Sequence, residues 1–103
     1  MKRIRLDLQY DGTDFQGWQS QPGGRTVQDL LERNLRALLS MPRLRVFGQG
    51  RTDAGVHALR QVVHFDCNTL IPTGRMPLML NKHLAPSGVV ALSAEEVPET
   101  FHA

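Results

Sequence analysis

Between Gly48 and Ala58 the chain reads GQGRTDAGVHA. Asp53 is the only acid between Glu32 and Asp66, and Arg51 and His57 stand close to it in the same polar loop. A carboxylate beside a guanidinium stays ionised, so Asp53 is placed to act as a nucleophile or general base, while Arg51 can also orient a phosphate. The competing reading is an Asx-turn, in which an aspartate in a glycine loop bonds its own backbone. Gly48, Gly50 and Gly55 permit backbone conformations closed to other residues and the close approach of a ligand. A phosphate cradle of the P-loop kind needs Gly-Lys-Ser/Thr opening a helix. Here Arg-Thr-Asp opens further loop, so glycine spacing alone is a weak case for nucleotide binding.

Other chemistries find little support. His57, His64, His83 and His102 form no metal-ligand pattern, and His64 and Cys67 would face opposite sides of a strand. No metal is expected. Cys67, among Val63 and Phe65, reads as a buried structural thiol rather than a nucleophile. The Gly-x-Ser-x-Gly signature of serine hydrolases does not occur.

The elements that must position Asp53 follow from periodicity. Residues 3–10, RIRLDLQY, alternate: Ile4, Leu6, Leu8 and Tyr10 share one face, and Arg3, Arg5, Asp7 and Gln9 the other, which predicts a strand with one buried side. The segment DGTDFQGWQSQPGGR is a long loop that Phe15 and Trp18 are expected to pack down, with base stacking as the sharper alternative. Thr26 opens a helix, and Asp29 three residues on gives a capping box with Asp in place of Glu. Val27, Leu30, Leu31, Leu35, Leu38 and Leu39 fall on its apolar face, with Glu32, Arg33 and Arg36 elsewhere, and Pro42 ends it. Residues 43–48 predict a second strand, 60–67 a third, 75–84 a short helix with Pro77 in its first turn, and 88–95 a fourth strand. The order β-α-β-β-α-β predicts an α+β, ferredoxin-like domain. Its antiparallel sheet would carry two helices on one face and leave the other free, an arrangement shared with RNA-recognition modules.

Composition bounds the function without naming it. The chain of 103 residues is 41% hydrophobic, which suits one small globular domain. No apolar run approaches the roughly 20 residues needed to span a membrane. The opening MKRIRLDLQY alternates like a strand rather than a signal peptide, and a single cysteine fits a reducing, cytoplasmic setting. Residues 1–60 hold ten basic and six acidic residues, residues 61–103 two and four, and ten of the twelve basic residues are arginine. Arginine forks match phosphate, so an anionic partner for the first half is plausible beside the plain reading of a solvated surface. Arg3, Arg5, Arg25, Arg43 and Arg45 are the candidate contacts for such an anion. Arg25 is the strongest, because it stands at a helix start, where backbone amides favour anions.

GRTDAGVHA, with YDGTDFQGWQSQPGGRTVQDLLE before it and MLNKHLAPSGVVALSAEEVPETFHA after it, closely resembles the N-terminal half of the TruA-type tRNA pseudouridine synthases. The likeness runs over essentially the whole chain. It implies a ferredoxin-like fold, homodimers at full length, and conversion of uridine to pseudouridine in the anticodon stem-loop of tRNA. Substrate and product are isomers, so the resemblance implies no cofactor. The family's catalytic aspartate maps onto Asp53, and the arginine that helps hold the flipped nucleotide open maps onto Arg51. Thr52, Gly55, His57 and Arg25 are the other expected substrate- and RNA-binding positions. Such chemistry requires the base to leave its stack, which calls for a loop pocket, a wedge and a cationic surface. Asp53 can attack the sugar C1′ or remove the C2′ proton to give a glycal, and the sequence leaves both routes open.

The resemblance also implies a shortfall. Family chains are more than twice this length, with an active-site tyrosine and a second arginine in the C-terminal half. Tyr10, on the first strand, cannot stand in for that tyrosine. The chain therefore reads as an excised half, expected to fold and to have little or no activity alone. The alternatives are an RNA-binding module without chemistry and a dimerisation domain. Against the first, the sheet lacks that module's paired aromatic motif, since Phe47 and Phe65 stand alone among aliphatics.

Overall fold

The computed structural model describes residues 1–12, 15, 17, 18, 22, 25–48 and 58–103. The elements are β1 (Lys2–Tyr10), α1 (Val27–Leu39), β2 (Phe47–Gly48), β3 (Ala58–Cys67), α2 (Met76–Leu84) and β4 (Val89–Val97). The four strands form one antiparallel sheet in the order β2-β3-β1-β4, which with two crossover helices is the expected ferredoxin-like arrangement.

Alternation in β1 decides which face is covered. Ile4, Leu6, Leu8 and Tyr10 are buried, with Val63, Phe65 and Cys67 of β3 and Val89 and Ala91 of β4 beside them. Val27, Leu31, Leu35 and Leu39 of α1 and Met76, Leu80 and Leu84 of α2 complete the core. Cys67 is a fully buried thiol, and burial pushes its pKa up, so it is an inert core residue as expected.

Capping sets the helix bounds. Thr26 Oγ1 accepts from the Asp29 amide, the N-cap bond that the Thr-x-x-Asp spacing predicts, and its hydroxyl donates to the Asp29 carboxylate. The helix ends before Pro42, at Leu39, because Ser40 adopts the left-handed conformation (φ 54°, ψ 43°). A single 3₁₀ turn at Thr73–Arg75 precedes α2, whose start is thereby moved to Met76.

Three expectations need correction. The second strand is two residues long rather than six, because α1 side chains, and not β3, take the backbone groups of residues 44 and 46. Glu32, placed off the apolar face of α1 by its spacing, is nevertheless only 5% exposed, because its carboxylate takes up that same role. The second sheet face is not left free, since residues 98–103 are tied across it. Arg3 Nη1 donates to the carbonyls of Glu99 and Phe101, and the Ala103 amide donates to His64 Nδ1.

Candidate functional site

Segment 49–57 leaves the sheet at Gly48, which pairs with Val63, and returns at Ala58, which pairs with Tyr10. Arg51, Thr52, Asp53, Gly55 and His57 all lie in that segment and therefore outside the described residues. What the structure gives is the frame that holds the segment's two ends.

The frame is built at one end of the sheet, where β1 ends and β3 and β4 begin. Both strand pairs of β1 slip register there. Leu8 faces Gln61 and Tyr10 faces Ala58, so two residues of β3 oppose one of β1. Asp7 faces Ser93 and Leu8 faces Ala91, so Leu92 is an extra residue in β4. Such bulges bend a strand and re-aim side chains, and they concentrate beside functional loops. Arg60, in the bulge of β3, reaches back to Asp7 on the face opposite the helices, with 3.1 Å between Nε and Oδ2. Arg5 binds the same carboxylate through Nε at 2.9 Å and Nη2 at 3.2 Å. Asp7 is thus buried between two arginines, although alternation alone would have left it in solvent.

The other wall of the frame is Trp18. Its ring is 3% exposed and lies so close to Gly48 that a Cβ there would meet Cε2 and Cζ2 at 2.7 Å. Gly48 has no positive φ. It is glycine because a ring occupies the place of its side chain. Phe15 is equally buried, so both aromatics pack the first long loop down as expected. The loop is also sewn to α1: the amides of Val27 and Gln28 donate to the carbonyls of Gly17 and Trp18.

Those bonds bear on Arg25. The first amides of α1 are spent on Gly17, Trp18 and Thr26, so the anion site expected of a bare helix N-terminus is not formed by them. Arg25 itself is exposed, its guanidinium 5.6 Å from the Phe15 ring centroid. The remaining arginines do not form one patch. Arg3 is held by Asp66 through Nε at 2.8 Å and Nη2 at 3.1 Å, and Arg5 by Asp7. Arg43 and Arg45 line a cleft of about 500 Å³ with Phe47 and Asp66, at the β2 edge of the sheet.

His64 sits on the face opposite the helices, beneath residues 98–103, stacked on Phe47 with ring centroids 5.3 Å apart and edge-on to Phe101 and His102. Its Nδ1 accepts from Ala103, so the neutral ring carries its proton on Nε2. Burial, then the charge of Arg3, lowers its pKa. The hydrogen bond from Arg3 holds the Asp66 carboxyl below its ordinary range.

Sequence reasoning missed Gln28, Glu32 and Asp7. For the first two a signal existed. Gln28, Glu32 and Arg36 recur every four residues along α1, a polar ridge bordering the apolar one, and such a ridge faces whatever packs beside the helix.

A ferredoxin-like sheet whose second and third strands are separated in sequence by Gly-Arg-Thr-Asp, with both strand ends braced, defines a narrow class. The chain belongs to the tRNA pseudouridine synthase family, which it matches over residues 8–103. It is 45% identical to the tRNA pseudouridine synthase A of Parvibaculum lavamentivorans, covering 100% of this chain and 42% of that protein. It is 50% identical to that of Halalkalibacterium halodurans and 51% identical to that of Akkermansia muciniphila, covering 100% of this chain and 39% of each of those proteins. The chain thus spans about two fifths of the length of these curated relatives.

Proposed function

We propose that this chain is the aspartate-bearing half of a cytoplasmic tRNA-uridine isomerase, which converts uridine to pseudouridine in the anticodon stem-loop as a homodimer at full length. The observation that carries this reading is the family match over residues 8–103, within which the segment GRTDAGVHA is intact. The N1–C1′ bond of the uridine breaks, a C5–C1′ bond forms, the C5 proton leaves to solvent and N1 gains one. Substrate and product are isomers, so atoms and electrons balance and the reaction needs no cofactor. Asp53 acts at the sugar, either on C1′ or on the C2′ proton. Arg51 pairs with Asp53 while the site is idle and with RNA phosphate when the nucleotide is flipped. Thr52, Gly55, His57 and Arg25 line the substrate path. The part of the relatives that this chain does not span supplies the rest of the RNA cleft, so the chain alone is expected to be inactive.

The test is tritium release from tRNA labelled at uridine C5, run with this chain, with the full-length protein and with its Asp53→Asn variant. Release by the full-length protein alone is the expected result. Release that survives Asp53→Asn removes Asp53 from the mechanism. RNA binding by a full-length protein that releases no tritium replaces isomerisation with binding.

A further inference from the structure

The segment that leads into the Asp53 loop is held by a helix rather than by a strand. Val46 is the residue before β2, and its side chain is fully buried. Its amide donates to Glu32 Oε2 at 2.8 Å, and its carbonyl accepts from Gln28 Nε2 at 3.0 Å. One turn further along α1, Arg36 Nε donates to the Leu44 carbonyl at 2.9 Å. Side chains at positions i, i+4 and i+8 thus replace the ladder that β3 does not supply. Around the Glu32 carboxylate, Arg36 Nη2 stands at 3.5 Å and Arg45 Nε at 3.7 Å.

This matters because β2 has only two residues. So short a ladder is a weak anchor, and a slip of one residue would turn every side chain to the other face. The register of Gly48, the last described residue before the loop, therefore depends on what grips Val46 just upstream and on Trp18 packed against Gly48 itself.

We propose that Glu32, assisted by Gln28, is a positioning residue for the Asp53 loop: by accepting the Val46 amide it fixes the register at which the chain enters that loop. This rests on the functional reading above. Glu32 is not a catalytic residue, since it acts only through the backbone of Val46. A buried amide left without an acceptor would shift toward another partner, and a displacement of about 1 Å at a reacting group can cost on the order of a hundredfold in rate.

The experiment uses the full-length protein with Glu32→Ala, Glu32→Gln and Asp53→Asn. It measures kcat and KM by tritium release and amide exchange at Val46, below the unfolding temperature of each variant. Glu32→Ala should lower kcat at least about tenfold with KM within about twofold, and should speed Val46 exchange. Glu32→Gln keeps an oxygen for the Val46 amide and should restore both to within about threefold. If Glu32→Ala changes only the melting temperature, Glu32 is merely structural and the proposal fails. If Glu32→Gln is as slow as Glu32→Ala, charge rather than the amide acceptor is responsible, and it fails again. Should Glu32→Ala not fold, Gln28→Met takes its place, with a kcat loss expected and an unchanged kcat refuting. Full turnover by Asp53→Asn removes Asp53 from the mechanism, and with it the part of the functional reading on which this proposal rests. Val46 exchange then judges the clamp alone, and unchanged exchange in Glu32→Ala overturns it.

Discussion

Replacing Gly48 with alanine tests the wall of the frame directly. The added Cβ would lie 2.7 Å from Cε2 and Cζ2 and 2.8 Å from Nε1 of Trp18. Carbon atoms settle at about 3.5–4.0 Å, so one partner must retreat by about 1 Å. Neither is free to do so. The Trp18 ring is buried and its carbonyl is bonded to the Gln28 amide, while Gly48 follows the Val46 clamp by two residues. Overpacking of this kind costs about 1–3 kcal/mol. Alanine recovers about 0.5–1 kcal/mol of the backbone entropy that glycine loses in a strand, and Gly48 has no positive φ to oppose it. The net loss lies between about 0 and 2.5 kcal/mol and centres on about 1.3 kcal/mol, a fall in Tm of about 5–10 °C for a domain of this size. The assay is urea unfolding followed by far-UV circular dichroism, on Gly48→Ala in the native background and again with Trp18→Leu. Without the ring, the alanine should cost nothing or stabilise, giving a coupling energy of at least about 1 kcal/mol. An equal loss in both backgrounds would refute the assignment of Gly48 to close approach of the ring.

Two further outcomes follow from local geometry. Ser40 holds a left-handed conformation that costs an L-residue about 1 kcal/mol, so Ser40→Gly should raise Tm by a few degrees, and a lower Tm would show that the side chain contributes there. Stability should also decline on acidification in two stages read by unfolding free energy against pH. His64 has a folded pKa below its ordinary 6.5, so the unfolded chain binds its proton first and stability is lost as pH falls below about 6.5, levelling off beneath the folded pKa. Asp66, depressed below 3.8 by Arg3, keeps its contribution above that pH and loses it as pH falls through the folded value. His64→Phe should abolish the upper stage. A profile unchanged by that substitution would mean that His64 is not the group responsible.

Most of the scaffold was legible because it depends on short-range rules. Period-two alternation gave β1 its buried face, and the Thr26–Asp29 spacing gave α1 its cap. The strand–helix order then left few topologies, and the sheet order β2-β3-β1-β4 is the one expected. Asp53 and Arg51 stood out because glycine-rich polar loops between apolar strands are where the chain can place chemistry. Local pattern failed where a polar group's partner is remote in sequence. Residues 43–48 alternate like a strand, yet Glu32 and Gln28 reach across from α1 and take the backbone bonds of Val46. Asp7 alternates outward, yet Arg60 and Arg5 enclose it. Gly48 reads from sequence as a site of backbone freedom or ligand approach, yet an indole 30 positions away in the chain excludes its side chain. The sequence determines which groups need partners, because propensity and alternation are properties of neighbours along the chain. Only the tertiary fold decides which partners they find, because burial without a hydrogen bond costs more than any local preference can offset.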